Sequence, residues 1–374
     1  MNPITTFLFY SFVFIVLFIL ARYGERKGRN TFIKAAYIGL FLLTVLRYDT
    51  GNDYANYFRT IEYVSFLISN DNSFFSSWEF YMSLASQEPA FLVFIYLFHS
   101  LPCPPLWIIF IYSAIAIFFL YKAMDEYKCH SIGLLLFFVS GLMFWYFDLI
   151  RQSAAMSLFF YSLKYIRDGK PLKYAIIILS AMLFHLSVFF CLPYYFIRYL
   201  KVPKLVYVFM ILIVVMMMFA NINMDGIFNY VGDLPFYDQY SNDKRLGSHF
   251  EGFGYKLRLL CYALISILTI LRLAKKDDYL AGILAIGTSL FIISQGNLLL
   301  DRFSIYLFYV VVIAFAIVIS NSKDIIRMLC VIFVGLLFFL TSKNIMDGSD
   351  RGCSPYKTVF SEDFARGRFK LKNY

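Results

Sequence analysis

The stretch LVYVFMILIVVMMMFA, residues 205–220, decides the fold class. It carries no charge, and it does not alternate apolar with polar positions as a half-buried strand does. A soluble helix confines its apolar residues to one stripe, whereas here they run all the way round. The segment VVVIAFAIVI at 310–319 repeats the pattern. Such blocks are helices whose solvent is lipid. The whole chain of 374 residues agrees, with 60% hydrophobic and 16% charged residues and a mean hydropathy of +0.68. Soluble domains carry roughly 25% charged residues. An ordinary soluble enzyme is excluded, and so is a disordered chain, which needs low hydrophobicity.

Apolar runs place spans at about 5–21, 31–46, 106–121, 131–147, 150–166, 173–185, 187–200, 204–220, 255–273, 279–295, 303–320 and 325–342. The expectation is an all-α polytopic membrane protein, with about twelve transmembrane helices in one multi-spanning domain over 1–374. The pair 173–185 and 187–200 is short for two crossings. It reads as one broken helix or as two half-helices meeting near His185. Phe91 to Leu101 is shorter than the roughly 17 residues a crossing needs, so it reads as a re-entrant or interfacial helix. Glu88-Pro89 suits its first turn. The run from Ile4 to Leu20 lacks a basic leader and a small-residue cleavage site, and reads as a retained helix. No internal repeat of the kind found in secondary transporters is visible.

Lysine and arginine orient the chain. The segment 22–34 holds Arg22, Arg26, Lys27, Arg29 and Lys34 against Glu25, and 167–173, 198–204 and 272–276 are also basic. All are placed in the cytoplasm, with the N-terminus outside. The outer side then takes the loops 47–105 and 221–254 and the tail 343–374. Segment 47–88 has six acids and two bases, and 221–254 is acidic as well. If Phe91 to Leu101 crossed, every later basic loop would face outward, which is the second argument for a re-entrant helix.

The net charge of +10 serves this orientation, so membrane lipids are the expected partner and nucleic acid is not. Six scattered cysteines form no CxxC, and four histidines show no ligand spacing, so neither a disulfide framework nor a metal site is indicated. No P-loop is present and no GxGxxG follows a strand, so no nucleotide cofactor is expected.

Ionisable groups at the ends of spans are functional candidates by default. Arg47, Arg151 and Arg302 fall on the outer side, where positive-inside bias makes them anomalous. Guanidinium groups bind phosphate bidentately and stay charged, so three of them suggest an anion site and can stabilise a departing diphosphate. A transfer to a hydroxyl needs a proton acceptor. Asp53 and Glu88 are the best-placed acids, with His185 in reserve beside Ser187. Each has a plainer alternative. An interfacial arginine can pair with a neighbouring acid, Asp49 can pair with Arg47, Glu88 can face a helix N-terminus, and a lone histidine can simply pack.

Several short motifs follow one another in order. They are Arg47…Gly51-Asn52-Asp53-Tyr54…Tyr57, Glu88-Pro89, Arg151-Gln152-Ser153-Ala154-Ala155, Phe184-His185-Leu186-Ser187, Asp301-Arg302-Phe303…Tyr306 and Ser354-Pro355-Tyr356-Lys357. In this order and placement the chain resembles the EpsG family of membrane proteins, which includes Wzy-type O-antigen and capsule polymerases. Asn52 stands where that family often has Thr. The resemblance covers nearly the whole chain.

It implies a fold similar to type C glycosyltransferases, in the bacterial inner membrane, with a site facing the periplasm or exterior. The implied reaction moves a glycan from undecaprenyl diphosphate to the end of a newly flipped, lipid-linked repeat unit, without metal or cofactor and with inversion. Arg47, Arg151 and Arg302 would then bind the diphosphate. Asp53 or Glu88 would activate the acceptor, and Tyr54, Tyr57 and Tyr356 would line the sugar path. A chain-length regulator is a partner the sequence neither requires nor excludes. The rival readings are an O-antigen ligase using the same donor, a repeat-unit flippase, and a membrane acyltransferase built on His185.

Overall fold

A computed structural model describes residues 2–70, 88–222, 253–294, 298–348 and 350–360, and all regular structure among them is helical. Of the expected outer loops, 71–87 and 223–252 lie outside the described residues, as does the tail beyond 360. The helices are α1 Pro3–Lys27, α2 Asn30–Val45, α3 Tyr54–Asn70, α4 Pro89–Phe98, α5 Pro104–Glu126, α6 His130–Val139, α7 Leu142–Asp148, α8 Ile150–Arg167 and α9 Pro171–Met182. A 3-10 helix, Leu186–Tyr199, follows. Then come α10 Lys204–Phe219, α11 Phe253–Arg272, α12 Asp278–Ile293, α13 Leu298–Phe308, α14 Val311–Asn321 and α15 Asp324–Met346. They form two compact units, one of residues 1–162, 176–186 and 338–374, the other of 163–175 and 187–337.

In the first unit α1 pairs with α2 and α6, and α5 takes α2, α3 and α4. The α1–α2 hairpin follows from its ends. The Asn2 side chain accepts from the Thr5 amide at 2.8 Å, Pro3 occupies the first turn, and Gly28 closes the helix at φ 63°. Arg26 and Lys27 face the negative end of the helix dipole. The other face of α1 is unlike that of a soluble helix, since Ile4, Leu8, Phe12, Ile15 and Ile19 are all exposed. Leu205, Phe209, Leu212 and Met216 are likewise exposed on α10, as are Ile325, Met328, Ile332 and Phe339 on α15. Apolar side chains on the outward face are what a lipid environment selects.

In the second unit α12 is central, packed on α10, α11 and α13. A Cβ at Gly287 would lie 2.4 Å from the Leu307 backbone. Only glycine lets α12 and α13 approach this closely, as small residues do between membrane helices.

Four segments are long and apolar enough to cross a membrane: α1, α5, α13–α14 over Leu300–Asn321, and α15 over Ile325–Met346. The pair α6 and α7 makes a fifth if counted as one span. The protein is therefore a multi-pass helical membrane protein. The segment 131–147, expected as one span, breaks at Ser140-Gly141 and bends by 72°. Gly141 takes a left-handed conformation at φ 79°, and every residue of α7 is buried. A broken membrane helix is tolerated where protein surrounds the break. The expected short pair at 173–200 proves to be α9 and a 3-10 helix with Pro193 inside it, and His185 lies in the junction. The ten residues of α4 are too few for a crossing.

A larger difference lies at 54–70, expected as outer loop and found as α3. Tyr54, Tyr57, Phe58, Ile61, Val64 and Ile68 are buried at helical spacing, while Asn56, Arg59, Glu62, Tyr63 and Phe66 are exposed. Their burial in one apolar cluster with α4 and α5 residues supplies the stability that a mixed-polarity segment lacks by itself.

Candidate functional site

The residue before a proline is pushed out of the helical region. Glu88 accordingly sits at φ −67°, ψ 148°, and its side chain makes no capping hydrogen bond to α4. Its carboxylate goes elsewhere. Oε2 meets Arg151 Nη1 at 2.5 Å, and Oε1 accepts from His185 Nδ1.

Three local features bring these residues together. The Ala90 amide donates to the Leu183 carbonyl at 3.0 Å, tying the start of α4 to the α9 junction. Phe184 packs on Phe94 and Tyr112, with ring centroids 6.5 and 5.8 Å apart. Arg151, in the first turn of α8, lies between Tyr57 of α3 and Phe91 of α4, 5.3 and 5.0 Å from the ring centroids. A cation is disfavoured at a helix N-terminus, so Glu88 and the two ring faces hold Arg151 there. The side chains of Glu88, Arg151 and His185 remain 11%, 18% and 16% exposed. They are mostly sheltered, yet reachable.

Burial opposes ionisation of Glu88, but the Arg151 charge and the hydrogen bond and charge of His185 outweigh it and hold the carboxyl down to about 2. A group of such low proton affinity is a feeble general base at neutral pH. The imidazole is better arranged. A carboxylate only accepts, so Nδ1 carries the proton it donates, and in the neutral imidazole the lone pair is then on Nε2.

A second polar cluster in the same unit lies where the tail returns. Asp148, buried at the end of α7, accepts from the Asp53 amide at 2.8 Å and from Arg351 Nε at 2.7 Å. Arg351 stacks 3.7 Å from the Trp145 ring centroid. Asp49 pairs with Lys357 at 2.8 Å, not with Arg47 as one reading of the sequence allowed. Backbone bonds reinforce this: Tyr48 N to Lys357 O at 2.9 Å, Gly51 N to Gly352 O at 3.0 Å and Asn52 N to Arg351 O at 2.9 Å. Gly51 makes the turn possible. Its φ is 107°, and a Cβ there would meet the Phe147 carbonyl at 2.9 Å.

The remaining expected site residues are placed as follows. Arg47 is fully buried and donates to the Thr44 and Phe147 carbonyls, the last turns of α2 and α7, where helix dipoles are negative. Among the described residues no carboxylate lies within ion-pair distance of it. Asp53 is half-buried at the start of α3. Tyr54 and Tyr356 are buried, the latter donating to the Leu43 carbonyl at 2.8 Å, and burial pushes the Tyr356 hydroxyl up to about 12. Tyr57 faces Arg151. Arg302 belongs to the second unit, half-buried on α13. There Phe190 meets Phe303 at 4.3 Å and Ser187 Oγ meets Tyr306 OH at 3.0 Å.

Glu88, Arg151 and His185 are thus in direct contact. Asp148 and Arg351 were not singled out from the sequence. A lone acid inside Tyr146-Phe147-Asp148-Leu149-Ile150 was a usable signal, because an acid in an apolar run needs a partner.

A family model described as EpsG family matches residues 30–358. No curated protein and no solved structure matches the chain.

Proposed function

We propose, because the chain belongs to the EpsG family, that it polymerises oligosaccharide repeat units carried on undecaprenyl diphosphate at the outer face of the bacterial inner membrane. About twelve crossings and a type C glycosyltransferase plan belong to the same reading. Family membership supports a polysaccharide polymerase type of membrane protein. The observation that carries the rest is the contact of Glu88 with both Arg151 and His185.

The acceptor hydroxyl attacks the anomeric carbon of the donor glycan. The bond from that carbon to the diphosphate oxygen breaks, and its electron pair leaves on undecaprenyl diphosphate. His185 Nε2 takes the hydroxyl proton, which later passes to water. Glu88 keeps the imidazole in the required tautomer and steadies the imidazolium that forms. Arg151 balances Glu88 in the resting site and donates to the diphosphate as its negative charge grows. A direct displacement of this kind inverts the anomeric centre. The lipid diphosphate bond supplies the driving force, so no nucleotide is consumed, and Arg151 is assigned the charge stabilisation of the leaving group.

Arg47, whose Nη1 and Nη2 serve helix carbonyls, is assigned to holding the loop that carries Asp53. Tyr57 is the tyrosine best placed against the site. A repeat-unit ligase would use the same donor half of this chemistry and differ in its acceptor.

The test is reconstitution of the purified protein with a synthetic lipid-linked repeat unit and sizing of the products. A ladder of multimers made without nucleotide or added metal is expected. Single transfer to a lipid A core acceptor, with no ladder, would favour the ligase.

A further inference from the structure

Two strands of contact run side by side between α3 and the α7–α8 junction. At one end the Asp53 amide donates to Asp148 at 2.8 Å. Three to four residues further along both segments, the Tyr57 ring lies 5.3 Å from the Arg151 guanidinium. Whatever fixes Asp148 therefore also sets the junction from which Arg151 starts. The Asp148 carboxylate spends one oxygen on the Asp53 amide and the other on Arg351 Nε, at 2.7 Å. Arg351 arrives from the tail, 203 positions away in sequence.

Arg351 is itself tightly specified. Its guanidinium stacks on Trp145 at 3.7 Å. Its backbone sits at φ 59°, a conformation rarely adopted by a residue with a side chain. Its carbonyl accepts from the Asn52 amide at 2.9 Å, so backbone and side chain grip the same turn. Asp49, across this contact, also has a positive φ, 47°, and also holds a tail cation, Lys357. Local strain of this kind persists where the surroundings over-determine it.

We propose that Arg351 is a positioning residue for the transfer reaction: through Asp148 it fixes the turn at 51–57 and the start of α8, and thereby places Arg151. It touches no reacting atom in this account. The inference rests on the assignment of Arg151 to the proposed site. A planar guanidinium bonding through Nε while stacking on an indole is not replaced by an ammonium. Lysine at 351 therefore keeps the charge but recovers only part of the function.

The experiment uses the full-length protein, wild type and R351Q, R351K and D148N, in two measurements. The first is backbone hydrogen exchange. R351Q and D148N should lose protection at 51–57 and 148–153, while α1, α5 and α12 keep theirs. Unchanged protection at 51–57 and 148–153 overturns the positioning role, whatever the protein catalyses. The second is turnover with the lipid-linked repeat unit at varied concentration. R351Q should lower kcat at least tenfold with KM changed by less than threefold, and R351K should fall between the two. Wild-type kcat in R351Q, with the turn loosened, overturns the link to the reaction. A wild-type protein that makes no polymer, with exchange altered as expected, sinks the polymerase reading and leaves Arg351 holding the turn. A variant that unfolds shows lost protection throughout, and R351K then carries the comparison.

Discussion

Glu88 and His185 stand 97 positions apart and share a hydrogen bond from Nδ1 to Oε1, while the second oxygen of Glu88 holds Arg151. One carboxylate thus serves an imidazole and a guanidinium together. The proposed division of labour among the three residues rests on this arrangement. The acid is held ionised by its two partners, and the imidazole turns its other nitrogen, Nε2, away from the acid.

His185→Gln keeps much of the shape and removes the basic nitrogen. Losing a general base costs roughly 10²- to 10⁴-fold in rate. Polymer formation by the reconstituted protein should fall by that factor while binding of the lipid-linked substrate is kept. Glu88→Gln should lose activity to the same order or less, because it disturbs the tautomer and leaves Nε2 in place. Full activity in His185→Gln would remove the base from this site.

The depressed Glu88 has a consequence for stability against pH. Its folded value is about 2, against 4.5 unperturbed. A group whose value falls on folding contributes its full stabilisation above the unfolded value and loses it as pH drops toward the folded one. In detergent, this group should stabilise the protein fully and without pH dependence between pH 8 and 5, and the melting temperature should then decline from about 4.5 toward 2. Glu88→Gln should start lower and lose that acid limb. Equal acid limbs in the two proteins would mean that the ion pair is not what sets Glu88.

Arg47 and Arg151 should part company on substitution. Arg151→Ala removes a reachable cation but leaves Glu88 its bond from His185, so protein levels should hold while long-chain glycan disappears. Arg47→Ala strips the partner from the buried Thr44 and Phe147 carbonyls, at about 1–3 kcal/mol for each unsatisfied group. Membrane-inserted protein and melting temperature should both drop. Normal stability with lost activity in Arg47→Ala would return it to the diphosphate site.

Charges were legible in the sequence because they are scarce against so apolar a background, and their burial demands a reason. Glu88, Arg151 and His185 stood out that way. Their contacts were not legible, since nothing in the spacing of residues 88, 151 and 185 encodes a shared hydrogen bond. The α3 helix could have been read. Its buried positions 54, 57, 58, 61, 64 and 68 keep a 3.6-residue period, which the polar residues Asn56, Arg59, Thr60 and Glu62 between them obscured. The break at Ser140-Gly141 was hidden for the opposite reason: an unbroken apolar run looks the same whether it crosses straight or bends inside protein. The tail was the least legible part. Arg351 and Lys357 matter through Asp148 and Asp49, roughly 200 and 300 positions earlier, and local pattern is silent at that range.

The shortness of α4 makes a topological prediction. With ten residues at about 1.5 Å each, it spans roughly 15 Å, half of a 30 Å hydrocarbon core. A helix of that length re-enters or lies at the surface, so its two flanks share one side of the membrane. Cys103, beyond its far end, is half-buried, whereas the other five cysteines are buried. Asn52, ahead of α3, is exposed. In a background with the other five cysteines replaced, a membrane-impermeant maleimide applied to intact spheroplasts should label Cys103 alone, and should label Asn52→Cys in a Cys103→Ala protein. Both should react from the outside, where the acidic loops are expected. Labelling of one from outside and of the other only after lysis would mean that the stretch between them crosses an odd number of times. Every later basic loop would then face outward, against the charge rule that oriented the chain.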